Sequence, residues 1–509
     1  MFRFRLEMGI SRSLNGNLQK LPPSSFRRFG RALLLVFSIL PGNLIPAWAQ
    51  VSGTSACYQV SPPVGVQPGT SLAGQQSSFS GSVPEGKVTP GVLPLSFADA
   101  IQRGLRQNLG VLLSRENTLA ARGQKWKDLS DLLPNVTTRT TETVQQQSLA
   151  ALGFRLPGVP RVIGPFSYFD TRAYWTQSLF NLKSIDQERS AVQNLKAAQY
   201  NYRDARELVV FAVGNAYLQA LAGAARVDTA EAQVKTGQAL HNKAVDQQKA
   251  GVTPAIDALR AQVELQTRQQ QLIVARNDYA KQKLALARVI GLSLGQEFAL
   301  TDKAPYEPLS APGLDESLRR AYTSRSDYRA GLSRVRAAEL ARKAATAGYY
   351  PSADLQADYG DIGINPATSN GAFHVAGTVT VPLFQGGKVH GDVLQAEAAL
   401  HQTRSQLEDL RGRIDNEVRT ALLDLSAAAE QVEVARSSVD LAQQTLSQAQ
   451  DRFSAGVADN LEVIQAQEAV ASANENYISS LYAHNLAKVS YARAIGYAEE
   501  GVKQYLKGK

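Results

Sequence analysis

The stretch Ala250-Gly251-Val252-Thr253-Pro254-Ala255-Ile256-Asp257 has a counterpart 205 positions later, Ala455-Gly456-Val457-Ala458-Asp459-Asn460-Leu461-Glu462. Each copy interrupts a long Ala- and Gln-rich segment of helical periodicity. Glycine suits the left-handed geometry at a helix C-terminus. Thr253-Pro254 and Asp459-Asn460 suit the start of a following helix. Each copy therefore predicts the tip of a long helical hairpin, and the pair predicts an internal duplication.

The duplication extends outward from the tips without a gap. At the same offset stand Asp204/Asp409, Arg206/Arg411, Val213/Val418, Ala216/Ala421, Val227/Val432, Ala261/Ala466, Arg288/Arg493 and Gly291/Gly496. Val213, Ala220, Val227 and Val234 recur every seven residues, and Val418, Leu425, Val432 and Val439 repeat the series. A seven-residue period predicts a left-handed coiled-coil seam, and small residues in it let helices approach closely. A helix over 183–250 is roughly 100 Å long, and helices over 253–290 and 97–133 are each roughly 57 Å, at 1.5 Å per residue. Two shorter helices end to end thus match one long one.

Before each long helix the period changes. Residues 136–144 are Thr-rich, and 166–176, 353–359 and 373–383 alternate apolar and polar. In the last of these, Phe373, Val375, Val379, Val381 and Leu383 share one face, and His374, Ala376, Thr378 and Thr380 the other. Strands are expected over about 135–146, 166–180, 353–361 and 372–384. Alternation with aromatics near strand ends fits a transmembrane β-barrel, and periodicity alone fits a small soluble sheet equally well. Four strands cannot close a membrane barrel, which needs roughly eight or more, and an open sheet edge in lipid is prohibitively costly. The barrel therefore requires several chains: two would give eight strands and three would give twelve.

The N-terminus favours the barrel. Arg27, Arg28 and Arg31 precede an apolar run over 32–40, and Ala47-Trp48-Ala49 gives a small-x-small cleavage pattern. This reads as a secretory signal over 1–49. Residues 50–94 are rich in Ser, Gly, Pro and Gln and read as a flexible segment. The single cysteine, Cys57, excludes an internal disulfide. Thr54 stands where acylated lipoproteins carry an aliphatic residue, so Cys57 is at most an alternative lipidation site. The formal charge is +9, yet basic residues alternate with acids along the helices, and no basic run with interleaved aromatics points to nucleic acid. The five histidines (His241, His374, His390, His401 and His484) form no metal motif. No phosphate loop, nucleophile elbow or paired cysteine is present. No cofactor and no enzymatic activity are expected.

The duplicated Ala-Gly-Val tips, the segment Leu461-Glu462-Val463-Ile464-Gln465-Ala466-Gln467, the strand exit Pro382-Leu383-Phe384-Gln385-Gly386-Gly387, and the helix ends over 284–291 and 489–496 carry a resemblance. The chain resembles the TolC-type outer-membrane efflux family over about 95–497. The resemblance implies a mainly α fold with a transmembrane β part: a homotrimer whose chains each give four strands to a twelve-stranded barrel in outer-membrane lipid, above a periplasmic α-barrel tunnel. The repeats would cover 95–311 and 312–497, with a tail over 498–509. It also implies docking of a periplasmic adaptor and an inner-membrane transporter at the tips (Gly251, Val252, Gly456, Val457, Asp459 and Asn460). Family members often narrow that mouth with acidic side chains, which implies a constriction at Glu462, with Asp257 as its mate in the first repeat. The next such position is Gln465, a departure that puts a doubled acidic ring in doubt. The first strand exit departs too, with Asn181-Leu182 in place of the glycine pair. Two functions of different class result: the outer-membrane channel of an efflux or type I secretion system, or an exported coiled-coil structural protein without a channel.

Overall fold

The computed structural model describes residues 79–84, 88 and 90–505, apart from 150, 152, 154–156, 159, 303–305, 310 and 459. The chain divides into two units, Met1–Pro68 and Gly69–Lys509, and every described residue lies in the second. The signal over 1–49, Cys57 and Asp459 fall outside the described residues.

The first half runs β1 (Leu93–Leu95), α1 (Phe97–Gln107), α2 (Leu109–Ser130), β2 (Asn135–Ser148), β3 (Val162–Phe180), α3 (Leu182–Lys249) and α4 (Ala255–Ile290). The second half repeats the order: β4 (Phe298–Leu300), α5 (Leu314–Ser324), α6 (Ser326–Thr346), β5 (Ser352–Gly363), β6 (Asn370–Thr380), α7 (Lys388–Ser454) and α8 (Asn460–Ala494), with α9 (Ala498–Tyr505) after it. Helix α3 pairs with α4 and α7 with α8, while α3 also lies against α2, α6 and α8. The seven-residue seam is buried at Val213, Ala220, Val418, Leu425 and Val432 and half-buried at Val227, Val234 and Val439. Burying each such Val or Leu side chain is worth about 1.5–3 kcal/mol.

The helices over 97–133 and 314–350 are not continuous. Each breaks after 11 residues, at Asn108 and at Arg325, both with extended ψ and both almost wholly buried. Asn108 Oδ1 accepts the Gly110 N–H (2.9 Å), and its Nδ2 donates to the carbonyls of Phe79 (2.7 Å) and Val289 (3.3 Å). Arg325 Nη1 donates to the Ala494 carbonyl (3.3 Å). Val289 and Ala494 are equivalent positions of the repeat, so each break hangs on the last turn of the following hairpin. Those turns end in left-handed glycines, Gly291 (φ 70°) and Gly496 (φ 72°).

The expected flexibility of 50–94 does not hold for its described residues from Phe79 onward. Val83 N–H donates to the Gln107 carbonyl (2.9 Å), Leu109 N–H donates to the Gly81 carbonyl (3.0 Å), and β1 pairs in parallel with β4. Backbone pairing needs no apolar periodicity, which is why composition gave no sign of it.

The other sheet has the order β2-β3-β5-β6, antiparallel throughout. Its last strand ends at Thr380, opposite Ser352, rather than near 384. Pro382 has no N–H to give a ladder and restricts Val381 before it, and Gly386 and Gly387 then turn the chain with positive φ. Val381, Leu383 and Phe384 are therefore exposed residues of an exit loop.

A Cβ at Gly496 would stand 2.8 Å from the backbone N and Cα of Arg325, whereas one at Gly456 would meet nothing within 4 Å. Substituting either residue incurs the left-handed penalty of roughly 1–2 kcal/mol, and only Gly496 adds a clash with immovable backbone. Gly496→Ala is expected to lower thermal stability clearly more than Gly456→Ala; calorimetry on the two variants checks the order.

Candidate functional site: a two-faced sheet and paired helical tips

Directly opposed residues in a sheet share a face, so the register of the four strands sorts their side chains. One face carries Arg139, Asp170, Arg172, Tyr174, Asp358 and His374. Arg172 bridges Asp170 (2.8 Å) and Asp358 (3.0 Å), His374 Nδ1 lies 3.4 Å from Asp358, and the Arg139 guanidinium sits over the Tyr174 ring. The opposite face carries Val136, Phe169, Ala173, Trp175, Leu355, Tyr359, Phe373, Val375 and Val379. Phe373 is 78% exposed and Val379 70%. Apart from Glu142 and Asp361 toward its loop end, this face is apolar and exposed and is backed by a charged one, the alternation of a barrel wall with lipid outside and water inside.

Both edges of this sheet, β2 and β6, lack a strand partner among the described residues. The charges of the inner face pair with each other across strands that lie 186 residues apart in sequence. The apolar face is visible in the sequence as alternation. The Arg172 network was missed there; its only signal is that Asp170, Arg172 and Asp358 keep the polar phase.

At the far end of the long helices the two tips close identically. Gly251 N–H donates to the Gln248 carbonyl (3.0 Å) and Val252 N–H to that of Gln247 (2.9 Å); Gly456 bonds Phe453 (3.1 Å) and Val457 bonds Arg452 (3.1 Å). These are Schellman closures, with the glycine left-handed at φ 73° and 75°. The closures leave Val252 (70%) and Val457 (69%) exposed.

The acidic positions beside the tips differ in setting. Glu462 is half-buried in the first turn of α8 and pairs with Arg452 Nε of α7 at 3.1 Å. Gln465, one turn on, is exposed. Asp257 is buried, with Arg260 of the same helix at 3.6 Å. The repeat thus places a partly exposed carboxylate after the second tip and a covered one after the first. Asn460 begins α8.

Between the tips and the helix breaks, a groove of about 910 Å³ opens among α3, α4 and α8. It is lined by Arg226, Glu264, Arg268, Glu468 and Glu475. Arg226 clasps both oxygens of Glu475 (2.8–3.0 Å), and Arg268 holds Glu264 (2.6 Å). This lining and Arg452 were both missed in the sequence; the seven-residue step from Glu468 to Glu475 was the available signal. Among the described residues no cluster of His, Cys, Asp and Glu is suited to a metal ion.

The toluene efflux pump outer membrane protein TtgF of Pseudomonas putida is 25% identical over 418 residues, which cover 79% of this chain and 84% of that protein. The outer membrane protein TolC of Escherichia coli is 22% identical over 353 residues, covering 64% of this chain and 69% of TolC. The crystal structure of the Campylobacter jejuni CmeC outer membrane channel superposes with a TM-score of 0.69 at 16% identity, covering 84% of this chain and 95% of that one, a likeness of fold. The family described as "Outer membrane efflux protein" matches residues 166–292 and 318–497, most of both repeats. With that match over most of both repeats, the chain belongs to the outer membrane efflux protein family, a family of outer-membrane channels rather than enzymes.

Proposed function

We propose that this chain is the outer-membrane duct of a tripartite efflux or type I secretion system. It works as a homotrimer, with each chain giving its four strands to a twelve-stranded barrel and its long helices to a periplasmic tunnel. The observation that carries this reading is the two-faced sheet with two open edges. Lipid does not tolerate unpaired backbone, so the sheet needs neighbours, and copies of itself supply matching edges. The tips, with exposed Val252 and Val457, dock a periplasmic adaptor, and the adaptor joins the duct to an inner-membrane transporter. The mechanism is physical: water and solute pass along the tunnel, and helix movement at the tips sets the bore.

Glu462 is the constriction carboxylate, with Gln465 beside it as a neutral position. Asp257, buried, supports the first tip rather than facing the bore. Three Glu462 side chains brought together at a narrow mouth would favour cations. The positive charge of Arg452 moderates this, and only partly, because an exposed ion pair is worth only about 0–1 kcal/mol and breaks easily.

The protein extracted in detergent is expected to run as a heat-modifiable trimer and to conduct ions in planar bilayers; a soluble monomer without detergent would sink the channel reading. The two sheet faces give a sharper test. Val375→Arg faces lipid and is expected to cost about 2–4 kcal/mol or to block insertion, while His374→Arg, one residue away on the water side, is expected to insert normally. Equal insertion of the two variants would mean that the faces are misassigned. At the mouth, Glu462→Lys is expected to reverse the preference for cations and Arg452→Ala to strengthen it, as read from reversal potentials; unchanged selectivity in both would remove Glu462 from the constriction.

A further inference from the structure

The break at Arg325 is surrounded by charge, where its counterpart is not. Arg325 clasps Asp327 (3.0 and 2.7 Å) and reaches Glu417 of α7 (2.5 Å). Arg493, in the last turn of α8, holds Asp204 of α3 at 2.6 Å and Glu207, one turn further along α3, at 3.4 Å. Arg334 of α6 lies at the edge, bonded to Asn201 (2.9 Å). At the equivalent break of the first repeat Asn108, Gly110 and Ala212 replace Arg325, Asp327 and Glu417, in a cluster built by Val209, Val213, Tyr217 and Ile290, and Arg288, the mate of Arg493, is exposed.

The charged joint has one acid too many. Four carboxylates (Asp204, Glu207, Asp327 and Glu417) face three guanidiniums (Arg325, Arg334 and Arg493). Arg206, beside Glu207, is turned to Glu499 of α9 (2.9 Å) and does not compensate. Asp327 has a two-pronged contact and also accepts the Tyr328 N–H (2.8 Å). Glu417 is 41% exposed and can draw on water. Glu207 is the carboxylate with neither: its side chain is 11% exposed and its Arg493 contact is the longest of the set. A buried carboxylate that has only a long contact to a guanidinium shared with a second acid holds its proton more tightly than a free one.

We propose that this joint is a proton-linked latch: the Asp204–Glu207 pair holds one proton while α3 is closed on the end of α8, and releases it when they part. Burial pushes Glu207 up to about 7, with Asp204 beside it raising it further and Arg493 opposing. Burial likewise pushes Asp204 upward, so the two titrate as a pair that shares Arg493. When the joint opens, water reaches Glu207 and its affinity for the proton falls back toward the ordinary value of 4.5. Between those two values the closed joint holds more protons than the open one. Raising the pH across the window therefore weakens closure, by about tenfold per unit for one proton. The latch uses only this chain's own helices, so it stands or falls separately from the channel reading.

Hydrogen exchange on the full-length protein in detergent tests it, over backbone amides of 204–211 and 489–496, from about pH 5 to about pH 8. After correction for intrinsic exchange, opening is expected to rise about tenfold per unit up to neutrality and then level. Glu207→Gln, an uncharged mimic of the protonated side chain, is expected to flatten the profile. Asp409→Asn, at the exposed mate of Asp204, is expected to leave it unchanged. A flat profile in the wild type, or an undiminished slope in Glu207→Gln, overturns the latch. Infrared spectroscopy of the wild type supplies the second readout: a protonated-carboxyl band should fade as the pH rises toward neutrality and above, and its absence at mildly acidic pH overturns the proposal even where Glu207→Gln fails to fold.

Discussion

A backbone amide left without a partner in hydrocarbon costs several kcal/mol, and the rest of this architecture follows from that constraint. Among the described residues four strands form the sheet, and β2 and β6 each have one edge without a strand partner. With Phe373, Val375 and Tyr359 facing out, the sheet cannot retreat into water without exposing a broad apolar surface. It cannot enter lipid alone either. Closure by identical neighbours satisfies both demands, and it dictates that the helices beneath be arranged in the same ring. The duplication serves this geometry, because two similar hairpins per chain give a ring of nearly equivalent parts.

The two repeats keep the same backbone solution and differ in what stabilises it. Helices α4 and α8 both end in a left-handed glycine, and in both the residue two before that glycine offers its carbonyl to the break in a neighbouring helix. In the first repeat the acceptor meets an asparagine within an apolar cluster, which holds by burial and hardly responds to pH. In the second it meets an arginine inside a network of carboxylates. An ion network buried at this depth suffers heavy desolvation, and its net worth depends on how completely each charge is matched. Similar geometry thus gives one joint that is fixed and one whose strength varies with protonation.

How much of this was legible depends on sequence distance. The tips, the long helices and the repeat were readable because glycine placement and seven-residue periodicity are local signals. The apolar sheet face was readable from alternation. The breaks at Asn108 and Arg325 were not, since each is set by a carbonyl more than 160 residues away. Nor was the joint: Asp204 and Arg493 are separated by 289 positions, and on its own helix each reads as one more surface charge. The end of β6 lay in plain sight at Pro382 and was overrun because Val381 and Leu383 continue the alternation. Beside the tips, the repeat equates Glu462 with Asp257, yet one is half-buried and the other covered. Alignment equates positions and not surroundings.

Helix α8 connects these features. Its first turn carries Glu462 and its last turn Arg493, about 47 Å apart at 1.5 Å per residue. At the lower end it is held by a small apolar cluster of Leu240, Ala449, Phe453, Val463 and Ala466. At the upper end the larger clusters around Val489 and Tyr491 meet the charged joint. Between the two lies the polar groove of Arg226 and Glu475, where little apolar surface is buried. Local stability follows apolar burial, so the tip half of α8, held by the smaller cluster, opens more readily than the Arg493 end. The joint proposed at Arg493 and the carboxylate of Glu462 thus sit at opposite ends of one helix, the first where apolar packing is dense and the second where it is sparse.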